Sequence, residues 1–75
     1  MDDALSVQCS LTELLAERGM TLTHLSELTG ISVVNLSVLK NDRAKAVRFS
    51  TLLAICEALS CTVGDVLHVS SPGAR

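Results

Sequence analysis

The chain of 75 residues is almost without aromatic side chains: Phe49 stands alone, and there is no tryptophan or tyrosine. Proteins that hold single-stranded nucleic acid stack its bases on aromatic rings, so the composition argues against an RNA or single-strand binder. Cysteine is scarce and odd in number, with Cys9, Cys56 and Cys61 and no C-x-x-C spacing. Neither a disulfide framework nor a zinc knuckle fits this pattern. His24 and His68 lie far apart with no ligand-like neighbours, so no metal is expected. No apolar run approaches the ~20 residues a membrane span needs. The N-terminus carries Asp2 and Asp3 instead of the basic region and long apolar run of a signal peptide. A cytoplasmic protein with no membrane partner is the expectation. There is no glycine-rich phosphate loop, and no nucleophile, base and orienting group fall together. The sequence therefore calls for no enzyme activity, no cofactor and no small-molecule ligand.

What is present is aliphatic. Apolar residues make up 48% of the chain, mostly leucine, valine and alanine. The length leaves room for one domain, and a chain this small buries roughly 60% of the surface its unfolded form exposes. The net charge of −2 hides a segregation. Lys40, Arg43, Lys45 and Arg48 against Asp42 give residues 40–48 a charge of +3, while the remainder carries −5. One face can thus be basic in an acidic protein.

The apolar period is helical over most of the length. Leu11, Leu14 and Leu15 share a face of a first helix, with Ser10 and Glu13 at capping-box spacing and Gly19 placed to end it. Residues 20–41, MTLTHLSELTGISVVNLSVLKN, read as two short helices, near 22–28 and 33–40, joined by a three-residue turn. Thr21 and Ser32 can cap them. Leu25, Ile31, Leu36 and Leu39 are the apolar positions, Ser26 is small where the helices would cross, and Gly30 sits where a positive φ costs little. Residues 41–47 read as a loop. Ser50 can cap a fourth helix whose apolar face includes Leu52, Leu53, Cys56 and Leu59, and Thr62 with Asp65 marks a short fifth. Residues 5–9, LSVQC, alternate as a short strand does and can pair with residues 67–69; a disordered tail is expected over residues 70–75. Val66, Leu67 and Val69 exceed what a short terminal segment needs, which points to a homodimer built from the fifth helix and the chain ends.

Two short helices about such a turn have the layout of a DNA-reading helix-turn-helix. The stretch resembles the lambda-repressor/Cro-like (Xre-type) family, and the resemblance extends from about Leu11 to Val69. LTELLAERGMT resembles that family's first helix, and LLAICEALSCTVGDVLHV its fourth and fifth. NLSVLKNDRAKAVRFSTLLAICEAL is similar to a small stand-alone subgroup of bacterial and phage regulators. The resemblance implies an all-α, five-helix lambda-repressor-like DNA-binding domain with short terminal strands. It implies a regulator of transcription, most simply a repressor, that binds double-stranded DNA as a homodimer.

The third helix would enter the major groove, with its first turn against base edges. Leu36 and Leu39 turn inward, which leaves Ser32, Val33, Val34, Asn35, Ser37 and Val38 as candidates for the base-facing side. Asn35 is the best reader, since its amide can bond N6 and N7 of adenine. Val33 and Val34 can press on thymine methyls. Lys40, Asn41, Arg43, Lys45 and Arg48 suit phosphates, as do Thr21 and Thr23 at the start of the second helix. The chain departs from phage repressors of the family, which often carry glutamine at the positions matching Leu22, Val33, Val34 and Val38. Hydrogen-bond readout is thin in consequence, and DNA shape gains weight. The valines and the acidic balance keep a second reading open: a protein-interaction module on the same fold, such as an antitoxin-like partner or an accessory subunit of another regulator. A redox sensor using Cys56 and Cys61 is the third.

Overall fold

Ten apolar side chains drawn from all five helices meet in one core. Leu11, Leu14 and Leu15 come from the first helix, Leu25 from the second, Leu36 and Leu39 from the third, Leu52, Ile55 and Leu59 from the fourth, and Val66 from the fifth. Each such burial is worth about 1.5–3 kcal/mol. The computed structural model describes residues 6–41 and 44–70. Leu5 of the expected strand, Arg43 of the expected phosphate contacts and residues 71–75 of the expected tail lie outside them. The order is β1 (Ser6–Cys9), α1 (Leu11–Arg18), α2 (Leu22–Thr29), α3 (Val33–Lys40), α4 (Phe49–Leu59), α5 (Val63–Val66) and β2 (Leu67–Ser70). The two strands form an antiparallel ribbon in the register Ser6 to Ser70 and Cys9 to Leu67, which joins the chain ends. Ser70, read as the first residue of a disordered tail, is thus held in β2.

Helix ends follow local chemistry where the side chain is free to serve it. Thr21 accepts the His24 N–H at 3.0 Å and Ser32 accepts the Asn35 N–H at 3.1 Å. The Asp65 carboxylate accepts the Thr62 N–H at 3.0 Å and its hydroxyl at 3.1 Å, closing the start of α5. Those bonds, the backbone one foremost, hold the Asp65 carboxyl below its usual pKa. Two expected caps fail. Ser10 precedes α1 but its side chain caps nothing. Its N–H donates to the Val66 carbonyl at 2.7 Å and its hydroxyl lies 3.1 Å from His68 Nδ1, because it also joins α1 to the ribbon. Ser50 lies inside α4, which begins one residue earlier with Arg48 at the N-cap.

Two further expectations change with the packing. In α4 the buried stripe is Leu52, Ile55 and Leu59, while Leu53 points outward. Ile55, at i+3 from Leu52 and i−4 from Leu59, fits the inward line that Leu53 does not. Val66 is 1% exposed and Leu67 packs against the core, so the apolar C-terminus is largely absorbed by the chain's own interior. Of the three residues taken as a dimer seam, Val69 alone remains well exposed.

The turn between α2 and α3 is tied at several points. Gly30 adopts φ +75° and sends its N–H to the Ser26 carbonyl at 2.9 Å. A Cβ there would meet nothing within 4 Å, so the demand for glycine is purely conformational. The Ser26 hydroxyl donates to the Ile31 carbonyl at 2.6 Å, and the Ile31 N–H donates to Thr29 Oγ1 at 3.2 Å. At the other end of the domain Arg18 Nε donates to the Leu59 carbonyl at 2.8 Å and Nη1 to the Leu14 carbonyl at 3.3 Å. Arg18 therefore links the last turns of α1 and α4 and favourably opposes both helix dipoles.

Two substitutions test these ties. Ser26→Ala strips the half-buried Ile31 carbonyl of its donor and should lower unfolding stability by about 1–3 kcal/mol, read from urea midpoints. Arg18→Ala should cost about 1–2 kcal/mol, with Arg18→Lys recovering only part of it, since an ammonium lacks the fork that reaches two carbonyls.

Candidate nucleic-acid interface

One face of α3 is left uncovered by the other described residues. Leu36 and Leu39 commit the opposite edge to the core. Val34, Ser37, Val38 and Asn41 recur at i, i+3, i+4 and i+7, so they form the outward stripe. Val34 stands at its centre and is 71% exposed. Val33 and Asn35 flank it, both exposed. Ser37 is half-buried and its hydroxyl accepts the Asn41 Nδ2–H at 3.3 Å, which engages two of the candidate side chains with each other. Ser32 is occupied as the N-cap. The Asn35 amide makes no hydrogen bond among the described residues, so its donors and acceptor are available.

Beside this stripe the chain folds back after α3. The 44–48 segment runs along the helix flank and leaves a notch of about 340 Å³. Ile31, Leu39 and Val47 contribute apolar walls. Asn35, Lys45, Arg48 and Thr51 supply the polar rim, with Val38 beside them. An amide, two cations and a hydroxyl are therefore brought to one concavity next to the exposed helix face. Lys45 and Arg48 are exposed, and neither has an ion-pair partner among the described residues. Lys40 is half-buried at the end of α3 and lies outside the notch, as do Ser32, Val33 and Val34. Thr21 and Thr23 belong to the start of α2 and do not join it; both are exposed, with the Thr21 hydroxyl used as a cap.

Thr51 was not legible in the sequence. It lies in the first turn of α4, and only the tertiary fold brings it to the notch that Asn35 also lines. Arg18, counted among the cations outside the basic segment, contributes no free charge to this face: it is fastened to two carbonyls and sits 3.3 Å from the Glu17 carboxylate. The two thiols proposed as a redox pair are half-buried at the end of α4. Burial first, then the neighbouring Cys56, pushes the Cys61 thiol above its usual pKa. That leaves less thiolate at neutral pH and weakens the redox reading. No helix among the described residues is long and apolar enough to cross a membrane.

Comparison with known proteins agrees with this geometry. A family model for the Cro/C1-type HTH DNA-binding domain matches residues 10–71. The uncharacterized HTH-type transcriptional regulator YozG of Bacillus subtilis (strain 168) is 49% identical over 67 residues, which cover 89% of this chain and 80% of that protein. The crystal structure of the transcriptional regulator VanUg superposes with a TM-score of 0.76 at 31% identity, covering 92% of this chain and 91% of that one. With its uncovered α3, its tied turn and a match over most of its length, the chain belongs to the family of Cro/C1-type helix-turn-helix DNA-binding domains.

Proposed function

We propose that this chain is a sequence-specific transcriptional regulator that binds double-stranded DNA in the cytoplasm as a homodimer and represses by occluding a promoter. The observation that carries the reading is the notch. It sets the Asn35 amide beside Lys45, Arg48 and Thr51, next to an α3 face that the other described residues leave exposed. The regulator names of the two relatives support it. In this reading α3 lies in the major groove with Val34 central, where an isopropyl group suits a thymine methyl. Val33 and Val38 extend that apolar contact, and Ser32 and Ser37 reach the edges of the site. Asn35 reads adenine from the flank. Lys45, Arg48 and Thr51 hold one phosphate strand, and Lys40, Asn41 and Arg43 are further phosphate contacts in this reading. Thr21 and Thr23 hold the strand across the groove at the start of α2.

The exposure of Val34 also favours a second reading, in which α3 docks on another protein. Binding to duplex DNA separates the two, because phosphate contacts release counterions and a protein contact does not.

The outcomes differ by residue. On a site recovered by selection from a random duplex pool, Asn35→Ala should lose about 1–3 kcal/mol and lose little on unselected DNA. Equal losses on both would remove Asn35 from readout. Lys45→Ala and Arg48→Ala should weaken every duplex alike. Each should make the slope of log affinity on log salt shallower by about 0.9 per lost contact, near 1.8 in a symmetric dimer. Unchanged slopes in both would take the notch out of the interface and favour protein docking.

A further inference from the structure

The chain leaves α4 through a turn that brings two thiols together. Ser60 takes a left-handed φ of +54°. Its N–H donates to the Glu57 carbonyl at 3.4 Å, and the Cys61 N–H donates to the Cys56 carbonyl at 3.0 Å. This double return is the Schellman ending of a helix, and it lays the side chain after the left-handed residue against the one five positions earlier. Apolar side chains ordinarily meet there. Here both are cysteine, and their side chains are in hydrogen-bond contact. Each is half-buried and packs against the core. Arg18 is fastened at the same place: its Nε donates to the Leu59 carbonyl at 2.8 Å, which holds a guanidinium near Cys61.

We infer that Cys56 and Cys61 form a two-sulfur site for a soft monovalent metal cation of the copper(I) class. Soft thiolate ligands select such a cation, and two sulfurs in line satisfy it. Zinc is not the occupant. A structural zinc site takes four ligands, and among the described residues no three of His, Cys, Asp and Glu come together as a metal set. The C-x4-C spacing that fits no zinc knuckle therefore fits a two-coordinate ion. On binding, the two thiol protons leave to solvent and two sulfur–metal bonds form, with no change of oxidation state. A redox thiol must ionise before it reacts, whereas the cation displaces the protons itself. Two thiolates and one monovalent cation leave a net charge of −1, which the fixed Arg18 guanidinium opposes. Asp65, the nearby carboxylate, is engaged by the Thr62 N–H and hydroxyl. The pair stands at the opposite end of α4 from Arg48 and Thr51, so the inference goes beyond the DNA-facing notch and does not depend on it.

The test offers copper(I), as its coloured bicinchoninate complex, to the reduced whole chain in the absence of oxygen. Wild type should withdraw one ion per chain, and Cys9→Ser should do the same. Cys56→Ser and Cys61→Ser should each weaken uptake by at least about a hundredfold, since losing a ligand costs more than the roughly 10–100-fold of losing an outer partner. Circular dichroism checks the fold of each variant. A second readout needs no variant: one equivalent of copper(I) should slow alkylation of Cys56 and Cys61 by about tenfold or more, because a metal-bound thiolate is no longer a free nucleophile. Alkylation of Cys9, followed in the same digest by mass spectrometry, should be unchanged. No uptake by wild type, uptake undiminished in both variants, or protection of Cys9 alone would overturn the site. One ion shared between two chains would overturn it too, since the ion would then bridge copies instead of closing on one turn.

Discussion

Everything that this protein presents to a partner depends on the angle between α2 and α3, and that angle is set by a turn of three residues. Gly30 supplies the left-handed step. The Ser26 hydroxyl, 2.6 Å from the Ile31 carbonyl, fastens the far side of the turn back to α2. Leu25, Leu36 and Leu39 then close the wedge beneath it. A two-helix unit of eight residues each has little stability of its own. Its geometry is held by hydrogen bonds that satisfy the backbone at the turn and by core contacts with α1 and α4. With the turn fixed, α3 can leave one whole face uncovered without losing its place.

The same economy governs charge. Arg18 is consumed by carbonyls at two helix ends, and Asp65 by a cap. Lys45 and Arg48, which have no ion-pair partner among the described residues, stand beside α3 at the notch. A protein with net charge −2 can in this way offer a positive surface to a polyanion. Long-range repulsion from the acidic remainder is screened beyond roughly 8 Å at physiological salt, so local arrangement outweighs the total.

The sequence revealed those features that depend on neighbours in the chain. Helix periods, the caps at Thr21, Ser32 and Thr62, and the glycine stops at Gly19 and Gly30 all follow from residues within one turn of each other. The positions that misled are those with a second, distant claim. Ser10 has the spacing of a capping box, but its N–H and hydroxyl answer to Val66 and His68, more than fifty residues away. Leu53 is as apolar as Leu52, and only the placement of α4 against α1, α2 and α5 shows that Ile55 takes the inward position. Thr51 enters the notch through a loop without sequence period. Within the candidate site, Asn35 and the cations were recognisable from chemistry, and the inward edge of Leu36 and Leu39 from the helical period; that Asn35 shares a notch with Lys45, Arg48 and Thr51 required the fold.

The central claim is that α3 and the 44–48 segment form one surface for duplex DNA. Mapping amide shifts by NMR while titrating the selected duplex addresses it most directly, because it reports each element at once. The account expects the largest changes over residues 32–41 and 44–51, with smaller ones at the start of α2 and little on α1 or the terminal ribbon. Changes centred on α1 or on the ribbon, with α3 unmoved, would contradict it.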